Sequence, residues 1–308
     1  MTTARSAAWI ALGLAVTALL TPAAPAQQRQ PALKPVSSGY IPANGVNYYY
    51  EIYGRGAPLL LLHGGLGSIG MFSPILPQLA KGRQVVAVDL QGHGRTALGD
   101  RPINLIDIGN DLATVVKKLG YDTLDVMGYS FGGGAALRLA VQHPELVRRL
   151  VIVSAPCAQS GFYPEMLPQQ AAVGAQMADA MKETPMYKSY VAVAPRPQDF
   201  PRLLDRMGEL MRAPYDSSED LKRLKGPVML VYGDADMIRP EHIVQFYQLL
   251  GGGLKDAGWQ REHISQNRLA ILPNVTHYEM FLSPALVPTV LPFLNGEQKP
   301  PVWSGTQR

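Results

Sequence analysis

The stretch that decides the fold is DVMGYSFGGGAALRLA, which runs from Asp125 to Ala140. It contains Gly128-Tyr-Ser130-Phe-Gly132, a G-x-S-x-G motif, between an apolar run and an Ala-rich helical pattern. In this context the chain must turn sharply from a strand into a helix, which holds the serine in a strained backbone conformation. Glycines flank the serine because side chains at those positions would collide with neighbouring elements. The motif predicts a nucleophile elbow with Ser130 at its tip.

A serine hydroxyl is a poor nucleophile at neutral pH, so it needs a base and an acid that orients the base. On an elbow fold these partners follow the serine, first the acid and then a histidine, in loops after later strands. Asp236 follows the apolar run PVMLVYGD, and His277 follows the run LAILPNVT. Asp234 stands in the same loop as Asp236 and is the alternative acid. The other histidines lie in Gly-rich loops, helical segments or polar connections, where structural or solvent-exposed roles are expected.

Around the elbow, short apolar runs alternate with amphipathic segments. The runs are VNYYYEIYG, PLLLLHG, QVVAVDL, TLDVMGYS, LVIVSAP, PVMLVYGD and LAILPNVTH. Helical patterns such as residues 105–120 and 132–147 lie between most of them. Strands that are apolar throughout and alternate with helices indicate an α/β fold with a mostly parallel sheet covered by helices on both faces.

Residues 157–218 interrupt this alternation, because they carry helical patterns broken by prolines and no strand signal. The helical pieces include QQAAVGAQMADAMKE and FPRLLDRMGELMR. We therefore expect a helical cap inserted into the sheet domain. A spacing of four places Met177 with Met181, and Met207 with Met211, on one helix face each. Their flexible thioethers would either line a site or pack the core of the cap itself.

Together these motifs resemble the α/β-hydrolase superfamily, in the branch with a cap after the sixth strand of the sheet. The resemblance runs from about Gly39 to Leu294 and includes LLLLHGG, VVAVDLQGHGRT, VMGYSFGG, VYGDADMIRP and NVTHYEMF in the order typical of the family. It implies the α/β-hydrolase fold, with the core formed by residues 39–156 and 219–295. It also favours Asp236 as the acid, because the family places the acid three residues after the glycine that closes its strand.

The loop HGGLGSIG, residues 63–70, allows a second interpretation. It contains G-x-G-x-x-G after a strand, and Asp89 ends the next apolar run, as in a dinucleotide-binding site. That site requires an unbroken helix from the glycines onward. Pro74 and Pro77 would interrupt such a helix by removing N–H donors and clashing with earlier carbonyls. We therefore expect no nucleotide cofactor, and no cofactor of any other kind.

The resemblance implies instead that this loop forms an oxyanion hole. Its first donor would be the N–H of Gly65, or of Leu66 because the loop carries an extra glycine, and its second the N–H of Phe131. The implied chemistry is acyl transfer, in which His277 takes a proton from Ser130 and the serine oxygen attacks a carbonyl carbon. Water activated by the same histidine then releases the acid.

The expected substrates are small to medium hydrophobic carboxylic esters. Serine at the elbow, where dehalogenases and epoxide hydrolases carry aspartate, argues against those branches. The loop HGGLG and the absence of tryptophan from the elbow disfavour proline iminopeptidases. A lactonase or carbon–carbon bond hydrolase with the same triad is the alternative, and a non-catalytic ligand-binding relative is a more distant one.

Composition limits the remaining possibilities. The chain of 308 residues is 47% hydrophobic and can bury a full core. Its net charge of +4 includes no long basic block, so no nucleic-acid partner is expected. Cys157 is the single cysteine and stands in SAPCAQ, where a buried apolar side chain is expected. No close-set group of His, Cys and acidic residues predicts a metal site. Residues 27–38 predict a flexible lead-in, and residues 296–308 a flexible tail.

The first residues have the layout of a secretory signal peptide. Arg5 supplies a positive charge, AAWIALGLAVTALL (7–20) is an apolar segment, and Ala24-Pro25-Ala26 is a cleavage signal. The apolar segment is shorter than the roughly 20 residues that span a bilayer. We expect removal of residues 1–26 on export to the periplasm or beyond, and no stable membrane insertion afterwards. An uncleaved membrane anchor is the alternative.

Overall fold

The computed structural model describes residues 33–297. The predicted signal peptide at residues 1–26 and most of the predicted tail lie outside the described residues. Within them, one sheet contains eight strands. The strands are β1 (Ser37–Ala43), β2 (Val46–Tyr53), β3 (Ala57–Leu62), β4 (Arg83–Val88), β5 (Leu124–Tyr129), β6 (Val147–Val153), β7 (Val228–Ala235) and β8 (Arg268–Thr276).

The strand order across the sheet is β1-β2-β4-β3-β5-β6-β7-β8. β2 is antiparallel to both β1 and β4, and the remaining neighbours are parallel. The chain passes from β3 to β4 on one side and then returns to β5 on the other side of β3. Such a reversal opens a crevice at the carboxyl ends of the strands, where open α/β sheets bind their ligands. The prediction of a mostly parallel sheet is confirmed.

Helices cover both faces of the sheet, because the central strands are apolar on both sides. All six residues of β5, for example, are buried. α1 and α9 pack on one face, and α2, α3 and α8 pack on the other. No helix among residues 33–297 is long and apolar enough to cross a membrane. The α-helices of this part of the chain are α1 (Leu76–Ala80), α2 (Leu105–Lys118), α3 (Phe131–Gln142), α4 (Met166–Ala171), α5 (Ala178–Met181), α6 (Pro185–Val193), α7 (Phe200–Arg212), α8 (Pro240–Leu249) and α9 (Leu286–Leu294).

The first strand lies partly inside the predicted lead-in. β1 begins at Ser37, so the prediction of a flexible segment over residues 27–38 was wrong for its last two residues. Gly39 and Pro42 within the strand obscure the alternation that normally signals one. Pro42 is tolerated because β1 is an edge strand whose partner is β2.

Between β6 and β7 the chain is helical, in the region where the sequence predicts a cap at residues 157–218. The two ends of this segment meet at its base. Ala158 forms a β-bridge with Asp216, and the N–H of Ser217 donates to the carbonyl of Cys157 at 2.8 Å. Because both ends are held together, the helices project as one insertion from the sheet domain.

The longest helix of this insertion, α7, is amphipathic and turns its apolar side towards the sheet. Its buried residues recur at intervals of three and four, as a helix packed on one side requires. They belong to the same hydrophobic cluster as Leu62 and Val88, which end β3 and β4. The insertion therefore shares a core with one face of the sheet. The buried residues are Phe200, Leu203, Leu204, Met207 and Gly208.

The methionines predicted to form two pairs behave differently. Gly174 adopts an extended conformation, so the segment expected to form one helix is divided into α4, a 3₁₀ turn and α5. Met177 ends the 3₁₀ turn and is 38% exposed, whereas Met181 on α5 is 9% exposed. Because Met177 lies in the 3₁₀ turn and outside α5, the prediction that these two share one helix face was wrong. Met207 and Met211 do lie on one helix, α7.

Candidate active site

Ser130 lies at the sharp turn between β5 and α3. Its backbone angles are φ 54° and ψ −118°, in a region that non-glycine residues rarely occupy. Its N–H donates to the carbonyl of Val153 at the end of β6, at 2.9 Å, and its carbonyl accepts from the N–H of Gly134 at 3.0 Å. The strained elbow that the G-x-S-x-G motif predicts is confirmed.

The flanking glycines are required by close backbone approaches. A Cβ atom on Gly128 would lie 2.1 Å from the carbonyl oxygen of Gly132. A Cβ atom on Gly132 would lie 2.4 Å from the carbonyl oxygen of Leu62 on β3. Because these obstacles are backbone atoms, they cannot rotate away as a side chain would. The elbow thus fits closely against the neighbouring central strand.

The structure brings Ser130, His277 and Asp236 into one hydrogen-bonded chain. Ser130 Oγ lies 3.0 Å from His277 Nε2, and His277 Nδ1 lies 3.0 Å from Asp236 Oδ1. Each residue follows a different strand, β5, β8 and β7 respectively. The histidine and the aspartate are buried, and the serine is half-buried. In this geometry the carboxylate fixes the imidazole, which can accept the serine proton.

Asp234, the alternative acid, occupies a different environment. Its side chain is exposed, and Oδ1 accepts a hydrogen bond from the N–H of Val275 at 3.2 Å. Backbone hydrogen bonds from Asn274 and Val275 lower the pKa of this carboxyl. Asp234 is part of β7, not of the loop after it, and ties the end of that strand to the end of β8, while Asp236 is the acid that contacts His277.

Tyr129 contacts His277 through its hydroxyl and its ring. Its hydroxyl donates to the carbonyl of His277 at 2.6 Å, and the two ring centroids lie 5.4 Å apart. The same ring lies against Gly64, where a Cβ atom would come within 2.7 Å of it. Burial raises the pKa of the Tyr129 hydroxyl, which keeps it a neutral donor. This contact could not be predicted from sequence, because the second position of G-x-S-x-G carries no signal of its own.

The loop predicted to supply the first oxyanion donor forms a tight turn. The N–H of Gly67 donates to the carbonyl of Gly64 at 3.1 Å, and Leu66 adopts a positive φ of 56°. Gly65 lies beside the elbow, since a Cβ atom placed on it would be 3.8 Å from the Cβ atom of Phe131. Phe131 begins α3, and the first N–H groups of a helix have no acceptor within it. The two residues predicted to supply the donors thus lie side by side.

Two buried histidines and one aspartate stabilise the loops around Gly65 and Phe131. Leu90 N–H donates to His63 Nε2 at 3.0 Å, and the ring of His93 stacks on Phe131 at a centroid distance of 5.3 Å. Burial lowers the pKa of His63 to about 3 and that of His93 to about 4, so both are neutral. Asp89 accepts from the N–H of Ile69 at 2.7 Å and from the N–H of Arg95 at 2.8 Å.

These contacts account for the spacing that resembled a dinucleotide-binding fingerprint. Asp89 holds two loops together, and in place of the helix that a dinucleotide site requires after the glycines there is a 3₁₀ turn (Ile69–Phe72) and the short α1.

Cys157 is fully buried near His242, and burial raises the pKa of its thiol to about 11. A neutral buried thiol is a poor nucleophile, so the expectation of a buried apolar cysteine is confirmed.

Comparisons with known proteins agree with this architecture. A family described as the alpha/beta hydrolase fold matches residues 57–185. The 2-hydroxymuconate semialdehyde hydrolase of Pseudomonas sp. strain CF600 is 38% identical over 118 residues, which cover 36% of this chain and 41% of that protein. A soluble epoxide hydrolase of Corynebacterium sp. strain C12 is 35% identical over 113 residues, covering 36% of this chain and 38% of that protein.

The chain therefore spans less than half of the length of the curated relatives it matches. Among solved structures, carboxylesterase CesB of Bacillus subtilis has a TM-score of 0.64 at 21% identity and covers 84% of this chain and 92% of its own. At that identity the likeness shows the fold alone. The sheet order, the elbow and the family match over residues 57–185 agree that the chain has the α/β-hydrolase fold.

Proposed function

We propose that this protein is a serine hydrolase that cleaves carboxylic esters of small to medium hydrophobic substrates through an acyl-enzyme. The observation that carries the proposal is the chain of two 3.0 Å contacts from Ser130 through His277 to Asp236. The match to the α/β-hydrolase family supports only hydrolase chemistry in general. The serine at the elbow supports attack by a hydroxyl group, which forms an ester with the acyl part of the substrate.

In the proposed reaction His277 accepts the proton of Ser130 while the serine oxygen attacks the carbonyl carbon. Asp236 holds the imidazole with Nε2 towards the serine and stabilises the positive charge that develops on the ring. The N–H groups of Gly65 and Phe131 receive the negative oxygen of the tetrahedral intermediate. His277 then protonates the leaving alcohol, and water activated by the same ring releases the acid.

Apolar groups around the elbow support a hydrophobic substrate. Met207 of α7 is 1% exposed and lies next to Gly65. The ring of Phe131 stacks on the ring of the buried His93. Such groups exclude water, and the exclusion of water strengthens the hydrogen bonds of an oxyanion hole. An acyl chain placed between these side chains would be held by burial of its apolar surface.

Carbon–carbon bond hydrolysis is the second candidate. It is favoured by the 38% identity to a 2-hydroxymuconate semialdehyde hydrolase, which extends over 118 residues and only part of each chain. Lactone hydrolysis remains an alternative with the same triad, and ligand binding without catalysis a more distant one. Ester, lactone and carbon–carbon substrates would each present a carbonyl to Ser130, so substrate assays must separate them.

The test is covalent labelling by a fluorophosphonate probe followed by kinetics. We expect the purified protein to be labelled, the Ser130→Ala variant to remain unlabelled, and a buried-serine control, Ser217→Ala, to label like the wild type. A panel of p-nitrophenyl esters, lactones and a vinylogous diketone should then give the highest kcat/KM for esters. Absence of labelling would favour a ligand-binding relative, and a preference for the diketone would favour the second candidate.

We also propose that the protein is exported, on the signal-peptide pattern at residues 1–26. Expression of the full chain in a Gram-negative host should yield periplasmic protein whose N-terminal sequence begins at Gln27. Protein that retains Met1 and sediments with membranes would instead support the uncleaved anchor.

A further inference from the structure

Ser154 lies one residue beyond β6 and contacts the acid of the triad. Its hydroxyl donates to Asp236 Oδ2 at 2.6 Å, while the other carboxylate oxygen, Oδ1, faces His277 at 3.0 Å. Ser154 is 1% exposed, so this hydrogen bond is protected from water. The remaining donor to Oδ2 is the N–H of Gly233 at 3.4 Å, which is long for a hydrogen bond.

The backbone of Ser154 is bent to make this contact. Its φ is 52°, in the left-handed region that favours glycine, although a serine stands there. Its N–H still donates to the carbonyl of Val231 on β7 at 2.9 Å, so the residue remains attached to the sheet. A non-glycine residue in this region is strained, and such residues cluster at functional sites.

The end of β6 also contacts the nucleophile. The carbonyl of Val153 accepts the backbone N–H of Ser130 at 2.9 Å, and the next residue, Ser154, binds Asp236. Two successive residues thus hold the two outer members of the triad. His277 also contacts both Ser130 and Asp236, through its two ring nitrogens.

We propose that Ser154 is a positioning residue that holds the Asp236 carboxylate in the rotation at which Oδ1 meets the imidazole. This inference rests on the proposed function. The final torsion of an aspartate side chain has a broad energy well, so one contact to Oδ1 leaves the carboxylate free to rotate. A second short contact to Oδ2 removes that freedom, and a donor to a carboxylate also stabilises its charged form.

Two substitutions separate positioning from a general effect on folding. Ser154→Gly and Ser154→Ala both remove the hydroxyl, but only glycine also relieves the strain of a positive φ. We expect Ser154→Gly to have a Tm at or above that of Ser154→Ala. Both variants should lose on the order of tenfold in kcat with little change in KM, because misorientation of a catalytic group affects the chemical step. The control Ser217→Ala removes a buried hydroxyl that contacts Arg138 at 2.8 Å, and its kcat should be unchanged.

The route through Asp236 is tested in a double-mutant cycle. In an Asp236→Ala background there is no carboxylate to orient, so adding Ser154→Gly should cause no further loss of kcat. Three results would overturn the inference. The first is a wild-type kcat in Ser154→Gly, and the second is an equal fold loss of kcat from Ser154→Gly with and without the Asp236 carboxylate. The third is a kcat that rises and falls with Tm across the two Ser154 variants. If the wild type reacts with the fluorophosphonate in any of these cases, only the role of Ser154 is contradicted and the proposed function still stands. A wild type that does not react removes both.

Discussion

Met207 packs directly over Gly65, so that a Cβ atom placed on the glycine would lie 3.2 Å from the Cε atom of the methionine. Met207 comes from α7, in the insertion between β6 and β7, and Gly65 comes from the loop after β3. The insertion thus reaches the loop that we expect to bind the oxyanion. Whatever acyl group occupies this corner must displace or contact a flexible thioether.

We predict that Met207→Ala changes the preferred acyl chain. Removal of the thioether leaves room beside Gly65, so kcat/KM should rise for longer esters relative to acetate. Each methylene contact is worth about 1–3 kcal/mol of discrimination, which corresponds to a shifted profile and not to inactivity. The measurement is kcat/KM for p-nitrophenyl esters from acetate to decanoate.

Met177→Ala is the matched control for this experiment, because Met177 belongs to the same insertion but is 38% exposed. Its chain-length profile should coincide with that of the wild type. If Met207→Ala also gives the wild-type profile while the fluorophosphonate labels Ser130 at the normal rate, Met207 packs only the core that the insertion shares with the sheet.

A second prediction separates the two candidate acids. Asp236→Asn should reduce kcat by about 10⁴, because an amide that faces Nδ1 favours the wrong imidazole tautomer. Asp234→Asn should have a far smaller effect on kcat, since the exposed Asp234 contacts the N–H of Val275 and not the histidine. Steady-state kinetics of both variants with one ester provide the comparison. The reverse ranking would assign the orienting role to Asp234.

The contact among Ser130, His277 and Asp236 could be predicted from sequence because each residue stands at the end of an apolar run. A strand that ends in Gly-x-Ser-x-Gly has few other ways to fold, and the loops of Asp236 and His277 follow strands of the same kind. The choice of Asp236 over Asp234 needed the resemblance to the family. The structure supplies its physical reason, which is that Asp234 turns outward to the backbone of β8.

Other contacts depend on packing between distant segments and left no local signal. Tyr129 occupies the variable position of the motif, and its hydroxyl meets a carbonyl that is 148 positions away. Ser154 looks like an ordinary residue at a strand end, and its positive φ is visible only in three dimensions. Met177 lies in the 3₁₀ turn before α5 and is 38% exposed, which a pattern of fours does not reveal.

A third prediction concerns Tyr129. Tyr129→Phe leaves the carbonyl of His277 without the 2.6 Å hydrogen bond, in a buried site. We expect a loss of about 1–3 kcal/mol in the free energy of unfolding and a lower kcat, because the backbone of His277, the proposed base, is less firmly held. Tyr121→Phe is the control, since that hydroxyl contacts Gln84 at 2.9 Å outside the triad. Urea unfolding and kcat of both variants test this, and a kcat loss shared by the control would contradict it.

The buried histidines predict how stability depends on pH. His63 and His93 have folded pKa values of about 3 and about 4, well below the value of about 6.5 in an unfolded chain. As the pH falls below about 6.5, the unfolded state binds protons that the folded state cannot, so the free energy of unfolding decreases. Asp89 acts in the opposite sense, because burial raises its folded pKa to about 6 and the folded state then holds the extra proton.

His93→Phe isolates one of these contributions. The substitution keeps a ring against Phe131 but removes a titrating group, so the free energy of unfolding should depend less steeply on pH. Between about pH 6 and pH 4.5 the slope should fall by as much as about 1.4 kcal/mol per pH unit, the contribution of one proton. At pH 7.5 the variant should be less stable than the wild type, because the 2.9 Å contact of His93 Nδ1 to the carbonyl of Gln91 is lost. Urea unfolding at several pH values measures both effects. An unchanged slope would mean that His93 takes up a proton in the folded protein as readily as in the unfolded chain.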